Sequence, residues 1–246
     1  MRKYQQIVNL LENLKLKGMI PNLDSEITEA EEKKISYLSF LDLLLKAEID
    51  YRTERRLKRN LAGAHFPVEK DLDDFKFARV KGITKSDLSS LLDFLWLDNH
   101  SNLLFFGPPG LGKTHLSIAI GLKAIQAGYT VCFERVASLI KLLKLTDIQR
   151  KAGFRVNRIL KADLIIIDEI GYTPIERKEA NLFFNLISEL YEKASVIITS
   201  NKKFDEWAEM MGDEVMTVAM LDRLLHHSKV FNLSGKSFRI HKEEED

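Results

Sequence analysis

Residues Gly107-Pro108-Pro109-Gly110-Leu111-Gly112-Lys113-Thr114 fit the pattern G-x-x-x-x-G-K-[ST], and no other stretch restricts the fold as much. Such a loop works only between a strand and a helix, and both are legible around it. Asn102–Phe106 is an apolar run of buried-strand length, and Leu116, Ala119, Ile120, Lys123 and Ala124 recur at helical spacing behind the loop. The N–H groups of a glycine-rich turn, with the partial positive charge of the following helix N-terminus, form a cradle for phosphates. Side chains at Gly110 or Gly112 would obstruct it. Lys113 is placed to reach the β- and γ-phosphates of ATP and the Thr114 hydroxyl to ligate Mg²⁺, so Gly107 to His115 is the candidate nucleotide-binding segment.

Beyond the loop, apolar runs alternate with helical patterns. Strands are predicted at Thr130–Glu134, Asp163–Asp168 and Ser195–Thr199, and helices at Ala137–Leu145, Phe154–Lys161 and Arg177–Tyr191. Near-continuous apolar strands are those covered on both faces, which predicts an α/β fold of the P-loop NTPase type: a parallel sheet flanked by helices. Leu88, Leu91, Leu92 and Leu95 predict one further helix leading into the loop strand.

At 246 residues, 45% of them hydrophobic, the chain has enough material for that core and a smaller domain besides. Tyr4, Ile7, Val8, Leu11 and Leu14 mark a first helix, stopping near Gly18 and Pro21. A polar, acidic stretch from Asp24 to Glu32 follows. Ile35, Leu38, Leu41, Leu45 and Ile49 then mark a helix that runs on through Arg59. Ala62 to Phe77 lacks sustained periodicity and is predicted to connect the domains, giving a small helical domain at 1–66 and an ATPase domain at 67–246.

A net charge of +1 excludes a polycation, so contact with nucleic acid must come from local clustering. Arg52, Arg55, Arg56 and Arg59 fall at i, i+3, i+4 and i+7 of the second helix and form one guanidinium stripe suited to the phosphates of double-stranded DNA. The alternative is a solvated face with Glu48 and Glu54 as partners. The single cysteine, Cys132, excludes an intrachain disulfide and reads as a buried strand residue. Neither a signal peptide nor an apolar run of membrane-spanning length is visible, so the expected location is the cytoplasm and no membrane partner is expected.

Hydrolysis needs a carboxylate for the metal and a group to orient water. Asp168 and Glu169, ending a predicted strand, supply both: Asp168 for Mg²⁺, Glu169 as the base that polarises water. Asn201, just after the next strand, is where an amide could touch both γ-phosphate and water; it could equally be an ordinary turn residue. Arg223 is a candidate donor of positive charge to a phosphate, in a neighbouring subunit, or else a surface ion pair with Asp213 or Asp222. His226 and His227 read as surface or packing residues, with no Cys or carboxylate spacing of a metal site around them.

Together Gly107–Leu116, Asp168-Glu-Ile-Gly-Tyr172, Thr199-Ser-Asn201 with Trp207, Leu221-Asp-Arg-Leu-Leu-His226 and Ser237-Phe-Arg239 resemble the IstB-like ATP-binding proteins of insertion sequences; the helicase loader DnaC is similar. Leu14–Met19 and Glu48–Arg56 extend the likeness to the N-terminal helices. The resemblance implies an AAA+ ATPase whose ATP-bound subunits assemble as a homo-oligomer on DNA and regulate a partner transposase. It implies ATP and Mg²⁺ as cofactors, Lys113 and Thr114 in the nucleotide loop, and Asp168 and Glu169 as metal and catalytic acids. It further implies Asn201 as sensor and Arg223 as an inter-subunit finger. Two residues depart from the family pattern: Leu190 stands where an Arg is expected, and Phe238 where a Tyr is usual. The alternatives are a helicase loader, a small-molecule kinase, which would have no use for Glu169, and a DNA-binding module that holds ATP without hydrolysing it.

Overall fold

The computed structural model describes residues 2–172 and 174–238; Arg239, part of the last motif above, lies outside them. The chain divides into two compact units, residues 1–59 and 60–246.

The first unit holds α1 (Arg2–Asn13), α2 (Leu23–Lys33) and most of α3 (Tyr37–Ala64). The polar, acidic stretch at 24–32 thus falls within a helix. It is held by Leu23 and Ile27, which join Met19 and Leu44 in a small core with Tyr4, Val8, Leu11 and Phe40. On α3 that core takes the Phe40–Leu44 face, while Leu38, Leu41, Leu45 and Ile49 stay exposed: the helix has two apolar stripes, and the shorter one is buried. Below Leu44 on the same face, the buried Glu48 accepts from the Gly18 N–H (2.6 Å) and from Arg52 Nε (2.6 Å).

In the second unit the end of α3 leads through a short segment into β1 (Val80–Lys81), α4 (Lys85–Leu91) and α5 (Leu95–Asp98). The leucine pattern predicted one helix here. Phe94 breaks it with a left-handed φ of 59°, while Asp93 accepts from the Leu95 N–H at 3.0 Å and starts a new turn. There follow β2 (Asn102–Phe106), α6 (Lys113–Ala127), β3 (Val131–Arg135), α7 (Val136–Leu145), α8 (Arg150–Ile159), β4 (Leu164–Ile170), α9 (Arg177–Leu190), β5 (Ser195–Ser200), α10 (Trp207–Met211), α11 (Glu214–His226), β6 (Ser228–Asn232) and β7 (Ser234–Gly235).

Five strands form one parallel sheet in the order β3-β4-β5-β2-β6, and β1 pairs antiparallel with β7. Because side chains alternate along a strand, Leu103, Phe105, Phe133, Ile166 and Ile197 enter a core with α6, and Leu104, Phe106, Ile165, Ile167 and Ile198 enter the core on the opposite face. This is the predicted α/β sheet covered on both sides.

The segment predicted as a linker is partly core: Ala64, Leu72 and Phe75 are buried with the α6 face. Arg155, itself buried, donates to Glu134 (2.6 Å) and to the carbonyls of Gly63, Phe133 and Ala64 at 2.7, 3.1 and 3.3 Å, closing the last turn of α3 onto strand β3. Burial pushes the Cys132 thiol up, away from the reactive thiolate, as suits a strand residue in a core. Among the described residues no helix is long and apolar enough to cross a membrane.

Candidate nucleotide site

The glycine-rich loop, Asp168, Glu169 and Asn201 sit at the C-terminal ends of β2, β4 and β5, where an open parallel sheet leaves its crevice. The loop from Gly107 to Gly112 leaves β2 and passes into α6 with Gly110 and Gly112 at φ of 82° and 80°. Only glycine adopts that conformation without strain. A Cβ at Gly112 would lie 2.6 Å from the Phe75 ring, and one at Gly110 would run into Ser237 Oγ. Phe75 and Ser237, packed against the loop, therefore leave no room for side chains here, a reason the motif alone does not disclose.

Within the loop, the Leu111 side chain is buried in the core, so its contribution to a ligand is its backbone. Lys113 is nearly buried and its ammonium donates to the carbonyls of Gly107 (2.6 Å) and Pro108 (2.9 Å), folded over the loop it serves. His115 sits over the rim, its Nε2 2.6 Å from the Asp71 carbonyl and its ring 5.7 Å from that of Phe75. Phe238 donates its N–H to the Gly110 carbonyl at 2.8 Å, and Arg79 lies over its ring.

Asp168 is fully buried. Thr114 Oγ1 donates to its Oδ1 at 2.8 Å and Thr199 Oγ1 donates to the same oxygen at 2.6 Å, while Oδ2 is buried without a hydrogen-bond partner. The second orphaned oxygen nearby in the fold is Asn201 Oδ1, on the turn after β5, close against Gly171 on the turn after β4. Buried polar atoms ordinarily find partners, and two unmatched acceptors at the mouth of a phosphate loop mark a place built to receive something. An aspartate oxygen beside a threonine hydroxyl is an oxygen donor set suited to a hard divalent cation such as Mg²⁺. The residues present thus fit ATP and its metal.

Glu169 owes its position to a bulge. Between the paired positions Ile167↔Ile198 and Ile170↔Ser200, strand β4 has one residue more than β5, and Glu169 takes a left-handed φ of 65°. A bulge re-aims side chains, which separates Glu169 from Asp168 in direction. Its N–H donates to Thr199 Oγ1 at 3.0 Å, and its carboxylate pairs with Arg135 at 3.3 Å, both side chains partly exposed.

Thr199 and Arg135 are the residues that sequence reasoning missed. Thr199 stands two residues before Asn201 on the strand adjoining β4, and Arg135 ends the strand on its other side. Parallel neighbours finish at the same edge of the sheet, and that was the available signal.

Arg223 is not brought to this site. It donates to the Ala219 carbonyl (2.7 Å) and lies over the Phe184 ring, lining a small cleft with Asn102 and Val196 at the opposite, N-terminal ends of the strands. Asp213, its candidate partner, pairs with Arg177 at 3.0 Å. Leu190, where the family pattern has an Arg, is buried in the apolar core and borders this same cleft. In the first unit the four arginines of α3 are all exposed. Arg52 is held by Glu48 and Arg55 lies over the Tyr51 ring, while Glu54 pairs with Lys58 at 2.7 Å and not with the stripe.

The model of the family described as IstB-like ATP binding protein matches residues 9–246. The ATP-binding protein of insertion sequence IS21 from Pseudomonas aeruginosa is 39% identical over 231 residues, covering 94% of this chain and 87% of the relative. That of insertion sequence IS5376 from Geobacillus stearothermophilus is 40% identical over 211 residues, 86% of this chain and 84% of the relative. Among solved structures, the DnaC helicase loader superposes with a TM-score of 0.52 at 20% identity, over 67% of this chain and 96% of that one. At that identity the likeness is one of fold, that of the AAA+ P-loop domains.

Proposed function

The chain belongs to the IstB-like ATP-binding proteins, and from that premise we propose that it is an Mg²⁺-dependent ATPase which assembles on double-stranded DNA and regulates a partner transposase. The observation that carries the hydrolytic part is the Thr114–Asp168–Thr199 hydrogen-bond chain with Glu169 on the adjoining bulge. ATP supplies the phosphoanhydride bond, and Mg²⁺ the charge that neutralises its oxygens. The chain's own residues do the rest by position.

Backbone N–H groups of the loop and the start of α6 hold the phosphates, and Lys113 gives up its loop carbonyls to bind them. Thr114 and Asp168 would hold the metal. Glu169, one residue along the bulge, takes the proton of the attacking water, and Asn201 orients that water. A non-hydrolysing DNA-binding module would have no need of a carboxylate at Glu169 held in a left-handed backbone.

Arg223 belongs to a different subunit's chemistry in this account. Its place at the far ends of the strands is about 13 Å from the loop, taking four residues of β2 at ~3.3 Å each. That separation speaks against a role at its own site, and in this proposal a neighbouring subunit of a homo-oligomer supplies it in trans. Insertion-sequence relatives covering nearly the whole chain favour transposition over helicase loading, for which the likeness is of fold alone. The first unit, residues 1–59 with Arg52, Arg55, Arg56 and Arg59, carries the DNA contact in this proposal, and residues 60–246 the ATPase.

The test is Glu169→Gln. ATP affinity equal to wild type with turnover at background supports the assignment; turnover retained at the wild-type rate overturns it.

A further inference from the structure

At the edge of the second unit remote from the nucleotide loop, α9 ends at Leu190 and the chain turns through Tyr191 and Glu192 into β5, while α11 ends at His226 and passes through His227 into β6. The fold brings these two junctions together. Glu192, His226 and His227, all exposed, each offer one ligand atom within 4.8 Å of the others. From this geometry we propose that the three side chains form a binding site for a transition-metal dication, Zn²⁺ in the first instance, separate from the Mg²⁺ chemistry at Asp168.

The donor types decide the metal class. Two imidazoles and one carboxylate are the ligands of Zn²⁺ and its late first-row neighbours, whereas Mg²⁺ takes oxygens alone. Metal–ligand bonds of about 2.0–2.1 Å place tetrahedral donors about 3.3 Å apart. The donors lie within 4.8 Å of one another on exposed side chains, so closing on an ion requires these side chains to turn inward about χ. Three protein ligands leave the fourth position to water.

Two further features act on the ligands themselves. The Tyr191 hydroxyl lies 2.9 Å from His226 Nδ1. When Nδ1–H donates to that oxygen, Nε2 is left with its lone pair outward, which is how metal-binding histidines are commonly oriented. Glu192 follows the C-cap of α9 with a φ of 57°, in a position that ordinarily takes glycine or asparagine. Here the left-handed turn instead carries a carboxylate, next to the two histidine rings, whose centroids are 4.1 Å apart. An ion bound there would tie the C-terminus of α11, and with it the turn bearing Arg223, to the α9–β5 junction.

The experiment uses the untagged full chain, stripped with a chelator, titrated with Zn²⁺ by calorimetry in the presence of excess Mg²⁺; Co²⁺ is added separately to read the ligand field. The expected result is one saturable equivalent of Zn²⁺, with Co²⁺ giving the visible absorption of a four-coordinate nitrogen–oxygen site. Affinity should fall at least tenfold in Glu192→Gln and in His227→Ala. It should be unchanged in His115→Ala, whose ring lies at the other end of the sheet. Circular dichroism of each variant checks the fold, and since both substituted side chains are exposed the variants are expected to fold as the parent does. No saturable binding by the parent overturns the proposal. Equal affinity in the parent and the folded Glu192→Gln and His227→Ala variants overturns it as well, because the ion would then be held elsewhere.

Discussion

Thr199→Val removes one hydroxyl and nothing else of substance, and that hydroxyl holds both candidate acids. It donates to Asp168 Oδ1 at 2.6 Å and accepts from the Glu169 N–H at 3.0 Å, in a residue 1% exposed. A hydrogen bond to a charged group contributes about 1.5–3 kcal/mol, and an N–H left without a partner costs about 1–3 kcal/mol when buried. Glu169 is only partly buried, so water relieves some of the second cost, and the loss of stability should be about 2–4 kcal/mol. The Glu169 left-handed turn also loses its anchor, and a displacement of about 1 Å at a catalytic group lowers kcat about a hundredfold. Thr199→Ser keeps the hydroxyl and gives up one methyl, about 0.8 kcal/mol. Urea unfolding midpoints and ATP turnover of the three proteins should rank wild type, Ser, then Val well below. A Val variant as stable and active as wild type would refute the reasoning, and so would a Ser variant as impaired as Val, since the methyl and not the hydroxyl would then matter.

Lys113→Ala takes away a charge-assisted contact to phosphate and should weaken ATP binding about ten- to a hundredfold, from 1.5–3 kcal/mol; equal affinity in equilibrium titration would remove Lys113 from the site. Arg135→Gln breaks a solvent-exposed ion pair to Glu169, worth at most about 1 kcal/mol, so basal turnover should rise by no more than about fivefold. A fall beyond tenfold would mean that Arg135 acts on the substrate instead. Changing Arg52 and Arg56 together to Glu should weaken binding to all DNA sequences alike and reduce the log–log salt slope by about 1.8, at ~0.9 per phosphate contact. An unchanged slope in the folded variant returns the stripe to solvent.

The parallel sheet was legible because strands buried on both faces must be apolar throughout. Leu103–Phe106, Leu164–Ile167 and Val196–Ile198 can be little else, and the loop motif set their order around one helix. The phosphate loop, Asp168, Glu169 and Asn201 lie at one edge of that sheet for the same reason. What stayed hidden depends on backbone and packing. The bulge at Asp168–Glu169 has no residue signature, because glutamate rarely takes a positive φ and does so here through Thr199. Leucines at 88, 91, 92 and 95 keep helical spacing across a break that Phe94 makes. The acidic α2 offers too few apolar positions to show its period. Glu192 and the two histidines meet only when α9 and α11 have packed.

Hydrolysis of ATP between subunits is tested most directly by mixing two inactive proteins. Arg223→Ala should bind ATP normally yet hydrolyse it slowly, since a finger supplied in trans contributes about 10³–10⁵ in rate, and Glu169→Gln should be equally inactive for lack of its base. In mixed assemblies on double-stranded DNA, some interfaces pair an intact Glu169 with a neighbour's intact Arg223. DNA-stimulated turnover measured across mixing ratios should then rise above both parents and peak at intermediate composition; a flat line at background, with co-assembly confirmed, would contradict it.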